Sequence, residues 1–213
     1  EMIGIFDRDE DPHRDLAKSI FPLQEIGKEE RTVAKGIWFG KIYGGGSENV
    51  VKEAILKAKP TARYDPAEGL RVARAFEDRF HVFVGWCGYQ FMKLKTDGYV
   101  ETLTGRRRRC LLITNDNKDE MRKAAINAPI QGTAGEIANI AFTRLSQQGF
   151  QCLLSIHDAV LVQVPDVSLN SDARRVLDVM LDVAREIVPG VKWKADLEVG
   201  KRWGSLMKWK PAE

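Results

Sequence analysis

Between Gly149 and Pro165 the chain reads Phe-Gln-Cys-Leu-Leu-Ser-Ile-His-Asp-Ala-Val-Leu-Val-Gln-Val. Two apolar runs rich in leucine and valine flank one polar pair, His157-Asp158. Strand-length runs between a glycine stop and a proline stop predict two strands joined by a tight turn. Burying an unpaired ionised carboxylate is expensive, so Asp158 belongs where a partner or a cation reaches it. A turn between strands meets that need, because it exposes the carboxylate while the flanks pack. Any fold for this chain therefore has to hold a strand pair with an acidic tip.

The rest of the chain is mostly helical by pattern. Pro12 opens a helix through His13 to Phe21, and Pro22 ends it. A second helix spans Lys28 to Tyr43 and stops at Gly44-Gly45-Gly46; a third spans Ser47 to Lys59. Asp65-Pro66 caps a long helix from Ala67 towards Leu94, irregular around Gly85 to Gly88. Gly98 to Leu103 alternates and runs into Thr104-Gly105, a hairpin signal. A polar loop from Leu112 to Asp119 precedes a helix that starts at Asn127-Ala128-Pro129, extends to Gln148 and closes at Gly149. By position alone, Asn127 and Gln131 read as capping groups. A helix from Asn170 to Val188, with Asp172, Arg175, Asp178, Asp182 and Arg185 outward, and a last strand from Val191 to Val199 complete an α+β chain.

With 213 residues, 44% hydrophobic and 30% charged, this is an ordinary globular composition for one large domain or two small ones. There is no bilayer-length apolar run and no signal peptide, so no membrane partner is expected. Cys87, Cys110 and Cys152 are odd in number and far apart, which excludes a disulfide framework and points to a reducing compartment. The net charge of +3 says little, but Arg106-Arg107-Arg108-Arg109 is a dense basic block. Such a block is a solvated face or a nucleic-acid contact. The first residues, Glu1-Met2, suggest a processed, split or truncated piece.

Arg31, Lys35, Phe39 and Tyr43 recur every four residues and form one stripe on the second helix, cationic at one end and aromatic at the other. A triphosphate-bearing nucleotide fits both halves. On spacing alone the plainer reading is favoured, a surface helix whose Phe39 and Tyr43 reach the core.

The wording of that segment, Arg31-Thr32-Val33-Ala34-Lys35-Gly36-Ile37-Trp38-Phe39-Gly40-Lys41-Ile42-Tyr43-Gly44, resembles motif B of the family A DNA polymerases. The resemblance implies that Arg31 and Lys35 hold the phosphates of an incoming dNTP, with Lys35 also serving catalysis. Phe39 would pack on sugar and base, and Tyr43 would sit near the templating base. Trp38 departs from the family's usual Asn, and Thr32 and Gly36 vary as well. Asp11-Pro12-His13 is similar to an Asp-x-His segment whose histidine meets the triphosphate, although a lone histidine there is also a common capping or surface residue. Gly98 to Arg108 resembles Gly-Tyr-Val-x-Thr-x-x-Gly-Arg-Arg-Arg, which implies that Arg106, Arg107 and Arg108 clamp the DNA backbone without reading sequence. Asn127-Ala128-Pro129-Ile130-Gln131-Gly132-Thr133-Ala134 resembles the segment whose amides face primer–template DNA, so Asn127 and Gln131 would contact it, His157 with them.

His157-Asp158 matches motif C, which implies Asp158 as a catalytic metal ligand for two Mg²⁺ ions. Ala159 stands where the family has Glu, and no Asp-Tyr-Ser-like strand supplies the second carboxylate. The resemblance thus implies helical fingers over 1–112 and a C-terminal palm over 113–213, an incomplete right-hand polymerase, phage-like in its divergence. It implies primer–template DNA, dNTP and the N-terminal remainder of a polymerase as partners, in the cytoplasm (nucleoid or infected host cell) or an organelle. This chain alone is expected to be inactive. The alternatives are a non-catalytic nucleic-acid-binding subunit or decayed polymerase and, with only His13, His81 and His157 available, a metal phosphohydrolase.

Overall fold

The computed structural model describes residues 2–21, 24–45, 47–61, 63–110 and 112–209, in two compact units, 1–130 and 131–213. The expected stop at Pro22 and the third glycine of the 44–46 run lie outside the described residues.

The first unit opens with α1 (Met2–Asp7), which the sequence pattern did not announce, and α2 (Pro12–Ile20). The Asp11 carboxylate caps α2, accepting from the N–H of His13 at 2.9 Å and of Arg14 at 3.3 Å. Next come α3 (Lys28–Ile42), α4 (Ser47–Ala58) and α5 (Pro66–Arg79), whose apolar faces bury Leu16, Ile20, Ile37, Val51, Val72 and Phe76 in one core. The α3–α4 seam is unusually close. A Cβ on Gly36 would lie 2.8 Å from Ala54 Cβ, and one on Gly40 2.5 Å from Val50 Cγ1. Only glycine fits there.

The long helix expected from Ala67 is two. It breaks at Phe80, not around Gly85 to Gly88, which lie inside α6 (His81–Asp97). The buried Phe80 ring packs 5.0 Å from Phe76 and 5.2 Å from Trp38. That anchorage fixes the turn, whereas a helical glycine costs about 1 kcal/mol and breaks nothing by itself. The hairpin forms as expected: β1 (Tyr99–Glu101) pairs antiparallel with β2 (Arg107–Arg109), with Gly105 at φ +89°. Val100 packs with Leu94 and Ala125 in a small second core.

α7 (Lys118–Gln147) starts earlier than expected, so Pro129 sits in its interior and not in its first turn. Asn117 and Thr114 exchange bonds ahead of the helix, at 2.8 Å and 3.4 Å, and Asp119 and Glu120 favour the positive end of its dipole. Proline's missing N–H leaves the Ala125 carbonyl without its usual helical bond. Asn127 and Gln131 are therefore helix-interior residues and not caps. The two units divide after Ile130, within α7.

The second unit holds the rest of α7, β3 (Gln151–Ile156), β4 (Ala159–Gln163), α8 (Leu169–Ile187), β5 (Glu198–Val199) and β6 (Met207–Lys208). Gly149, at φ +87°, ends α7 with the paired bonds Gly149 N–H to Ser146 and Phe150 N–H to Leu145. α7 and α8 bury Ile137, Ala141, Val183 and Ala184 between them, and Arg144 donates twice to Glu186, both at 2.7 Å. The strand expected over 191–199 shrinks to Glu198–Val199, paired with Met207–Lys208. Trp193 folds back instead, its Nε1 donating to the Val188 carbonyl at 3.0 Å. The result is α+β, mostly helical with three antiparallel ladders among the described residues.

Candidate functional site

The stripe on α3 faces outward. Val33, Ala34, Ile37 and Trp38 are buried, while Phe39 and Tyr43 are 41% and 42% exposed. The two aromatics do not reach the core, although the surface-helix reading expects them to. Their rings stack at 6.2 Å with an 18° interplanar angle, and Lys35 Nζ lies 5.8 Å from the Phe39 centroid. Trp38 goes the other way and meets Phe76 and Phe80 edge-on. A residue there serves packing, so an indole in place of a small amide suits a core with two phenylalanines.

His13, at the start of α2, closes the same surface. Its ring centroid is 5.6 Å from Phe39 and 6.3 Å from Trp38, and its Nδ1 is buried with no hydrogen-bond partner. Burial lowers its pKa below the usual 6.5; Asp11 opposes that, and the cations Arg31 and Lys35 add to it. Arg31 Nε donates to Asp11 Oδ2 at 2.6 Å. Burial alone would raise the Asp11 carboxyl, but the bonds from Arg31, Arg14 and His13 hold it below its ordinary value. Sequence reasoning missed this pair; the only local signal was a capping Asp before Pro12. The structure thus brings His13, Arg31, Lys35, Phe39 and Tyr43 onto one surface of the first unit, with two cations, an imidazole and two aromatic faces. Such a surface can hold an anion at one end and stack a planar ring at the other.

At the β1–β2 hairpin, Arg106, Arg107, Arg108 and Arg109 are all exposed. Arg107 is held by Glu101 at 2.7 Å and lies 4.4 Å over the Tyr99 ring. On α7, Asn127 is half-buried with its Oδ1 lacking a partner, and Gln131 is exposed. An unpaired buried amide oxygen is a group that a ligand's donor would satisfy.

In the second unit, His157 and Asp158 form the two-residue connection between β3 and β4. Both are exposed, and His157 has φ +55°. A positive φ at the first turn residue matches a short connection to the twist of its strands. The hairpin is poorly covered: Leu153, Leu154 and Ile156 are 50%, 46% and 37% exposed.

The sequence profile of DNA polymerase family A matches residues 1–205. The chain belongs to that family. It is 30% identical to DNA polymerase I of Chloroflexus aurantiacus over 96% of this chain and 22% of that protein. It is 28% identical to the thermostable DNA polymerase I of Thermus aquaticus over 95% of this chain and 24% of that one. Its fold matches the POL domain of Pol1 from M. smegmatis, in complex with DNA primer-template and dNTP. That match has a TM-score of 0.71 and 26% identity over 85% of this chain and 32% of the other. The chain therefore spans under a quarter of the curated family A relatives it matches.

The implied pair of metal ions can be tested against the donors present. Among the described residues, no three of His, Cys, Asp or Glu converge. Asp158 stands at its tip beside Ala159. A single carboxylate offers too few oxygen ligands to hold two divalent ions, so these residues do not make a two-metal site by themselves. Among the described residues, no helix is long and apolar enough to cross a membrane.

Proposed function

We propose that this chain is the nucleotide-binding and C-terminal catalytic portion of a template-directed DNA polymerase, which transfers a nucleotidyl group from dNTP to a primer 3′-hydroxyl. The outward face of α3 carries the reading. Arg31 and Lys35 would take the phosphates with His13, Lys35 would stabilise the charge of the leaving pyrophosphate, and the Phe39 face would meet sugar and base. Tyr43 would lie by the templating base. Arg106, Arg107 and Arg108 would follow the DNA backbone, and Asn127, Gln131 and His157 would contact primer–template. Asp158 would be a divalent-metal ligand, Mg²⁺ by the resemblance, with the second carboxylate on a partner segment. In this reading residues 1–112 act as fingers and 113–213 as the closing part of a palm. The half-exposed apolar residues of the β3–β4 hairpin support a further polymerase segment lying against it in the working enzyme. The enzyme would work on DNA in the cytoplasm.

Primer extension tests this. The 213-residue chain alone should extend nothing, and robust metal-dependent extension by it would overturn the shared-carboxylate reading. In the complete polymerase, Lys35→Ala should lower kcat/KM for dNTP by about 10- to 100-fold, the scale of a lost charge-assisted contact. Ala159 and the lone tip carboxylate favour a second reading, a nucleic-acid-binding subunit without chemistry. Undiminished DNA binding with no extension even in the complete protein would select it.

A further inference from the structure

We propose that Asp11 is a positioning residue for the nucleotide site: one carboxylate oxygen caps α2 beneath His13, and the other aims the Arg31 guanidinium. This rests on the nucleotide-site reading of α3. The capping oxygen, Oδ1, accepts from the His13 and Arg14 N–H groups. Oδ2 accepts from Arg31 Nε at 2.6 Å, across 20 residues of sequence. A single rigid group therefore ties the start of α2 to the first turns of α3, and with them an imidazole and a guanidinium.

The choice of nitrogen matters. A guanidinium has five N–H donors in a fixed planar fork. The contact through Nε fixes that plane and leaves the terminal nitrogens at the far edge, where two parallel bonds to a phosphate can form. The pair is about one-third exposed on each side, at 39% and 34%. An ion pair so wetted adds little to stability. Its effect belongs in the orientation of Arg31, and hence in the affinity for triphosphate.

The substitution that separates the two oxygens' roles is Asp11→Ser. Serine still caps the helix but is too short to reach Arg31. In the complete polymerase, D11S should raise KM for dNTP about fivefold, with kcat within about twofold and thermal stability nearly unchanged. R31A alone should raise KM further, and adding D11S to R31A should do nothing more. An equal rise in KM from D11S with or without Arg31 would overturn the proposal, as would an unchanged KM in D11S. An unchanged KM in R31A would overturn the nucleotide-site reading itself, and the proposal with it.

Discussion

The outward face of α3 and the tip of the β3–β4 hairpin are built by opposite means. On α3, every proposed functional group has a neighbour from the same unit: Asp11 for Arg31, Phe39 for Lys35 and His13, Tyr43 for Phe39. Behind them lies a core of buried side chains. At the hairpin, Asp158 belongs to no group of three or more His, Cys, Asp or Glu among the described residues, and the strands that carry it leave large apolar groups half in water. The difference separates binding from chemistry. In the proposed reading, a surface for a nucleotide can be assembled within one folded unit, whereas a carboxylate that shares divalent ions needs further ligands brought to it.

The comparison breaks most easily at Asp158. In the complete polymerase, Asp158→Ala should reduce primer extension by at least about 10²- to 10³-fold, the scale seen when one preorganised electrostatic group is removed. DNA binding, read by gel shift, should persist. Near-normal extension would erase the distinction between the two regions. Next in size is Trp38→Ala, which removes the indole between Phe76 and Phe80 and should lower the unfolding free energy of the chain by about 3–5 kcal/mol. Ile156→Thr, on the uncovered hairpin, should change it by about 0.5 kcal/mol or less in the same urea titration. Comparable losses would mean that the hairpin is already packed. The smallest effect concerns His13, whose folded pKa lies below the usual 6.5. The unfolded chain then binds the proton first, so stability is full above 6.5 and falls as pH drops through the folded value. Urea midpoints on either side of 6.5 should show that slope in the native chain and a flatter one in His13→Gln.

Much of this was legible in the sequence because it is local. The two-strand run around His157-Asp158, the glycine that ends α7, the Thr-Gly hairpin and the α3 stripe each depend on neighbours a few positions away. What was misread depended on distant partners. Phe80 breaks the helix because Trp38, far back in the chain, holds its ring, and nothing near Phe80 signals that. Pro129 looked like a first-turn proline because that is its preferred place. The helix had already been started by Asn117 and an acidic first turn, and its length absorbs the missing bond. The Asp11–Arg31 pair was invisible for the same reason: a cap can be read from one residue, but the second oxygen's partner cannot.

The seam between α3 and α4 carries a further consequence, one of rotation. Successive residues on a helix point about 100° apart. Turning α3 by one position would drive the Ile37 or Lys41 side chain into a gap where, at Gly36 and Gly40, not even a methyl group fits. The helix is thereby indexed like a toothed shaft. The bearing along which Arg31, Lys35 and Phe39 look outward is decided on its flank, by two places where a side chain is missing.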